Sequence, residues 1–283
     1  MTQYVSKVNK KSLYRGKDLQ LTEHILIKQP TVGEVFEEDG EYLSVVYNLC
    51  ATPTDLAYQL ENVFHIDFVT VDEYEVFVKY ICPSFDNNKT RKIFGDELDF
   101  SKMRLYENEE THEIFLKQHI IKEKEIVLQD NETSKKTFKR NKALPTKLIT
   151  EEYDIIFDRF TYRRMTDYLR LLFNIEKNER KPKNKGARKL LIEESRQRMT
   201  GESDETSEDT LLNMISYAVN MPGFKHDENS VMDMKYYCFI DSVKRLNKIT
   251  NSHILYQSGY SGFGIDLSKI GDKNELNAMG DLK

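Results

Sequence analysis

Apolar residues along this chain recur first at helical spacing, then at strand spacing, then at helical spacing again. Residues 23–28 form a short strand-like run, which Pro30 stops by holding Gln29 in extended geometry. A turn or short helix starts at Thr31-Val-Gly-Glu34. Residues 41–49 are apolar at spacings that fit either a strand or a buried helix. Thr52-Pro53 reads as a helix start with proline at the first helical position, and Leu56, Leu60, Val63 and Phe64 share one face. Thr70 and Glu73 have capping-box spacing, and Tyr74, Phe77, Val78 and Ile81 form the next helical stripe. Residues 52–82 therefore predict a helical hairpin.

A turn-rich junction over residues 93–100 ends this pattern. Short β-type runs at 104–106, 113–117 and 125–128, separated by polar clusters, predict a small antiparallel sheet. Residues 153–157 offer a further strand, and the lysine-rich stretch 130–147 reads as a loop. Thr161 is placed to cap a helix reaching Phe173, with Met165, Tyr168, Leu169 and Leu172 inward. Residues 176–209 open basic, pass through a short helix at 187–199 and close acidic without aromatics, which is linker composition. Two more helices follow. One spans 211–221; the other starts at Val231, capped by Ser230, and carries Met234, Tyr237, Cys238, Val243, Leu246 and Ile249.

These elements predict an α+β fold. A polar arm (1–20) with five cations precedes a mixed domain (21–175) holding the helical hairpin and the small antiparallel sheet. A charged linker (176–209) would let a helical subdomain (210–283) swing.

Composition narrows the function classes. The 15 Phe and 16 Tyr supply the apolar area of a folded chain, although 31% of residues are charged. A net charge of −5 disfavours a nucleic-acid binder, which is usually basic. Cys50, Cys82 and Cys238 are irregularly spaced and contain no C-x-x-C, which suits a reducing cytoplasm; Cys50 and Cys238 read as small core residues. The N-terminus lacks an apolar leader, and no run approaches membrane-spanning length.

No pattern carrying catalysis, a cofactor or a metal stands out, so the chain reads as non-enzymatic. No histidine pair has zinc-helix spacing; His112 and His119 are seven apart and could meet only in a hairpin. Ser261 lies in no G-x-S-x-G elbow, and Gly259, Gly262 and Gly264 invert the dinucleotide-binding order. Two interaction candidates remain. Lys181, Lys183, Lys185, Arg188 and Lys189 lie in the basic stretch, which is either a solvated linker or a contact for phosphate or an acidic partner. The closing segment carries Phe263, Ile265, Leu267 and Ile270 among glycines, followed by Leu276, Met279 and Leu282 at a spacing of three. It either folds back on the two preceding helices or docks a partner protein.

Several segments carry a family resemblance: Ile27-Lys-Gln-Pro-Thr-Val-Gly-Glu34, Ala51-Thr-Pro-Thr-Asp55, Ile93-Phe-Gly-Asp-Glu-Leu-Asp-Phe-Ser-Lys102, Lys189-Leu-Leu-Ile-Glu-Glu194, and the closing Tyr260-Ser-Gly, Ile265-Asp-Leu-Ser-Lys-Ile270 and Leu276-Asn. Over almost its whole length the chain resembles a tail-module family of tailed bacteriophages and prophages of Gram-positive bacteria. The resemblance implies a tail assembly chaperone or a baseplate-associated protein. Its partners would be tape-measure, tail or baseplate subunits, or a second copy of itself, in the host cytoplasm or the virion. The family places a Trp after the Leu-Asn pair, whereas this chain has Ala278.

Overall fold

A computed structural model describes residues 9–38, 40–85, 87–127, 146–200, 210–261 and 264–282. The class is α+β, as the sequence predicts.

Residues 9–20 of the predicted polar arm are folded onto the core. Asn9 caps helix α1 (Lys10–Tyr14), Leu13 is fully buried, and β1 (Leu19–Gln20) pairs antiparallel with β2 (Leu26–Ile27). Leu13, Leu19 and Leu21 supply enough apolar area to hold residues 9–21 against the core; residues 1–8 lie outside the described ones. Thr31 and Glu34 form a reciprocal capping box that opens α2 (Val32–Phe36).

Residues 41–49 resolve as helix α3 (Glu41–Leu49), because Tyr42, Val45, Val46 and Leu49 all turn to the core. The predicted hairpin is present, with each arm containing a π-helical turn, at Gln59–Val63 and Phe77–Ile81. The second arm starts at α4 (Glu73–Val76), and its cap is Asp72 rather than Thr70. The Asp72 carboxylate accepts from the Tyr74 and Glu75 amides. Helix α5 (Asn87–Phe94), which the sequence reading does not predict, ends where the predicted junction begins and buries Thr90, Ile93 and Phe94.

The antiparallel sheet has the order β3-β4-β5. Strand β3 (Arg104–Glu107) pairs only with the base of β4 (Ile114–Val127). The two runs predicted at 113–117 and 125–128 are one continuous strand as far as Val127, since β5 (Thr146–Phe157) pairs with β4 along its whole length. The predicted loop therefore gives up Thr146 and Lys147 to β5, and residues 128–145 lie outside the described ones.

Leu116, Ile155 and Phe157 at the sheet's base meet helix α6 (Arg159–Phe173) in the main core. Asp158, not Thr161, is the cap of α6; it accepts from the Thr161 amide at 2.7 Å. Phe77 is fully buried at the centre, with ring centroids of Phe100, Phe157 and Tyr162 at 5.8, 5.7 and 4.7 Å.

The described part of the charged stretch is docked, not swinging. Helix α7 (Lys185–Thr200) buries Leu191 in the main core. Ser195, 1% exposed, donates to the Asp55 carbonyl at 2.7 Å and accepts from the Tyr58 amide at 3.2 Å. Upstream, the Thr52 and Thr54 hydroxyls donate to the Asn178 and Arg180 carbonyls at 3.1 and 3.0 Å. Residues 201–209 lie outside the described ones.

The C-terminal helices are α8 (Thr210–Asn220) and α9 (Tyr236–Tyr260). Helix α9 starts five residues later than predicted. Ser230 instead closes a turn with Asp227, its amide donating to the carboxylate at 2.8 Å. The second core joins Ile215, Ala218, Val231, Phe239 and Val243 to Val32 of α2. Backbone bonds reinforce the joint, Val32 N to Met234 O at 2.8 Å and Tyr236 N to Pro30 O at 3.0 Å. The two halves therefore share a core rather than a hinge.

Candidate docking surface at the C-terminal end

Helix α9 is about 37 Å long at 1.5 Å per residue. Its first turns supply Tyr236, Phe239 and Val243 to the two cores. Beyond Leu246 no residue of α9 belongs to, or packs against, either one. The apolar stripe gives way at Ser252, and Ile254, Tyr256 and Tyr260 fall on open faces, Tyr260 with 83% of its surface exposed.

The chain's own terminus covers part of this projecting half. Asp266 and Asp272 cap two short 3₁₀ turns, Leu267–Lys269 and Lys273–Leu276, by accepting from the Ser268 and Asn274 amides. Side chains one helical face apart on α9 then hold the tail by its backbone. Arg245 donates to the carbonyls of Ala278 and Gly280 at 2.7 and 2.9 Å. Lys248 donates to the Asp281 carbonyl at 2.6 Å, and Ser252, 2% exposed, to the Leu276 carbonyl at 2.7 Å.

The closing segment thus folds back on α9, but not as one apolar helical face. Leu267, Ile270, Leu276 and Leu282 are half-buried, Ile265 is exposed and Met279 is 90% exposed; Phe263 lies outside the described residues. A spacing of three suggests a helix, yet Gly271 and Gly280 and the two aspartate caps favour single turns. Ile254, Tyr256 and Tyr260 join Ile265 and Met279 as exposed apolar groups. Their signal in the sequence is the apolar stripe of α9 giving way to a serine at position 252.

Of the basic candidates, Arg188 is taken up by the fold. Arg188 is engaged by Glu61 and by Asp67, and its guanidinium lies 5.4 Å from the Phe68 ring. Lys181, Lys183, Lys185 and Lys189 are exposed, with no ion pair among the described residues.

A cleft of about 560 Å³ lies where Thr52 and Thr54, Val69, Glu73, Lys177 and Lys181 approach one another. Glu73 is taken by Arg170 at 2.7 Å and Lys177 at 3.0 Å. No serine, cysteine or histidine lines it, and its Thr52 and Thr54 hydroxyls donate to the Asn178 and Arg180 carbonyls. Burial pushes the thiols of Cys50 and Cys82 up to about 12, which makes both inert at neutral pH. Cys238 is only half-buried, its Sγ 3.2 Å from the Tyr14 carbonyl.

His112 and His119 do not meet. His112 contacts Glu107 at 2.8 Å, while His119 is bracketed by Asp154 at 2.9 Å and Glu152 at 2.8 Å. Hydrogen bonds to those two carboxylates raise the His119 pKa above its ordinary value. Among the described residues no three His, Cys or carboxylate side chains converge as metal ligands, and no helix is long and apolar enough to cross a membrane.

Set against known family models, curated proteins and solved structures, the chain finds no match. The chemistry the surface itself offers is contact: aromatic and thioether groups in solvent, and a helix face that holds the tail by its main-chain carbonyls.

Proposed function

We propose that the chain is a non-enzymatic tail-module protein of a tailed bacteriophage that acts by protein–protein contact during tail assembly. The observation that supports contact is the far end of α9. Ile254, Tyr256 and Tyr260 are exposed on the half of α9 that reaches past both cores, and Ile265 and Met279 are exposed on the tail folded against it. Exposed apolar groups on a projecting element suit a surface that a partner covers, and aromatic and methionine side chains are enriched at such interfaces. The phage setting rests on the family resemblance of the sequence. The partner would be a tape-measure, tail or baseplate subunit.

Co-expression with the tape-measure protein and affinity capture tests the reading. Capture should succeed with the native chain and fall at least tenfold for a Tyr260→Asp, Met279→Asp double variant that keeps its thermal stability. Absence of any complex with every tail protein would refute it. Quantitative mass spectrometry of purified virions against the infected lysate separates two roles. An assembly chaperone is trace in particles, and a structural subunit is stoichiometric.

A further inference from the structure

The β4–β5 ribbon leaves the body of the protein partway along its length. Leu116 and Ile155 are buried at its base, and Ile120 and Tyr153 still pack against the main core. The next residue, Ile121, is 63% exposed, and Glu123, Thr150 and Glu151 are exposed as well. Pairing nevertheless continues from Ile121↔Glu152 to Val127↔Thr146. At about 3.4 Å per residue this outer part is roughly 24 Å long. A two-stranded ribbon is only marginally stable in water by itself, so its order depends on what holds its root.

Two clasps grip that root, one on each face. On the face turned to the body, Glu97 accepts from the Tyr153 hydroxyl at 3.0 Å and pairs with Lys122. The hydrogen bond between them holds the Glu97 carboxyl below its ordinary value and raises Lys122 above its own, so neither changes charge near neutral pH. On the open face, His119 lies directly opposite Asp154. Its Nδ1 is 2.9 Å from the Asp154 carboxylate and its Nε2 is 2.8 Å from that of Glu152. Lys117, two residues back on the same face, also pairs with Asp154, at 2.7 Å. Arg104 at the start of β3 stands opposite Lys117, and Glu123 follows Ile121 on the His119 face of β4.

Both ring nitrogens of His119 must donate to make these two bonds. Only the imidazolium can do so, because the neutral ring carries one N–H. Loss of the proton turns a lone pair toward one carboxylate, and repulsion replaces that bond. Lys117 keeps Asp154 engaged, so Glu152 is the group set free.

We propose that His119 is a pH-sensitive clasp at the root of the ribbon: protonated, it ties β4 to Asp154 and Glu152 of β5; deprotonated, it releases Glu152 and loosens the pairs from Ile121 outward. Hydrogen bonds to Asp154 and Glu152 favour the proton, so His119 titrates above its ordinary value while the ribbon is closed. Its stabilising effect is complete below pH ~6.5 and is lost as pH rises through the raised value. The Glu97 clasp does not titrate in that range, so the base of the ribbon stays in place. This inference does not depend on the phage-tail reading.

The test is NMR on the full chain at low ionic strength, where exposed charge pairs are least screened. The His119 ring resonances should titrate with a midpoint above about 6.5. Ribbon amides at 121–127 and 146–152, corrected for the intrinsic rise of exchange with pH, should lose protection across the same transition. The loss should be about tenfold for each pH unit by which the midpoint exceeds the ordinary value. Amides of Leu116 and Ile155 should not change. Glu152→Gln should bring the midpoint down, and His119→Lys, which keeps a cation facing both carboxylates, should hold protection constant through the transition. A His119 midpoint at or below about 6.5 overturns the proposal. So does ribbon protection that stays flat while His119 titrates, that falls equally in His119→Lys, or that is missing at every pH.

Discussion

Whether α7 is docked or swings is decided by two substitutions. Leu191 is 6% exposed within the main core, and Ser195 on the same helix is bonded to backbone groups of the 55–58 turn. Leu191→Ala removes three carbons from a packed site at the core's margin, at a cost of about 2–3 kcal/mol, the low end for Leu→Ala. Ser195→Ala leaves the Asp55 carbonyl and the Tyr58 amide without this partner, for roughly 1–3 kcal/mol. For a chain of this length, an unfolding entropy of about 2 cal/mol/K per residue converts 1 kcal/mol to roughly 2 °C. Leu191→Ala should thus melt about 4–6 °C, and Ser195→Ala about 2–6 °C, below the native protein by calorimetry. Amides of α7 should exchange far more slowly than those of an isolated helix, which opens freely. Melting within about 1 °C of native for both variants, together with fast exchange across α7, would refute the docked arrangement and restore the swinging linker.

Three further outcomes are expected. Phe77→Ala empties the centre of the aromatic cluster and should cost about 3–5 kcal/mol in denaturant unfolding, with Tyr47→Ala, half-exposed on α3, as a near-neutral control. Burial opposes ionisation of Asp55, but hydrogen bonds from Asn178, Thr52 and Arg198 outweigh it and hold the carboxyl below its ordinary value. Its stabilising effect is complete above pH ~4 and is lost as pH falls through the lowered value, so the melting temperature of Asp55→Asn should fall less steeply below pH ~4 than that of the native chain. Reversing Lys181, Lys183 and Lys185 to Glu should leave tail-protein capture unchanged. Loss of a steeply salt-dependent association with single-stranded DNA in that variant would instead assign these lysines to phosphate contact.

Local rules were enough for elements whose partners are close in sequence. The short helix expected from Thr31 forms, and the apolar stripe at Tyr74, Phe77, Val78 and Ile81 lies buried on one helical arm. Leu49 and its neighbours were ambiguous for a physical reason. A nine-residue run is too short for its period to separate strand from helix, and the surrounding core selects the helix by burying Tyr42, Val45, Val46 and Leu49. The tail set Ile265, Leu267, Ile270, Leu276, Met279 and Leu282 was visible as apolar spacing, but which of them are half-buried (Leu267, Ile270, Leu276 and Leu282) depends on how the tail lies on α9, where Arg245, Lys248 and Ser252, distant in sequence, hold its carbonyls.

By itself, then, the sequence determined the α+β class, most helix positions and the absence of a recognisable reaction motif, because these depend on period, caps and residue chemistry within a few positions. Tertiary structure decided that residues 9–20 and 176–200 are packed rather than free, since charge counts register the lysines but not the single buried Leu13, Leu191 or Ser195 that anchor each segment. It also decided that the last half of α9 projects past the cores and is clasped by its own terminus. That outcome rests on which carbonyls come within about 3 Å of an arginine, a lysine and a serine, a distance that only the folded chain defines.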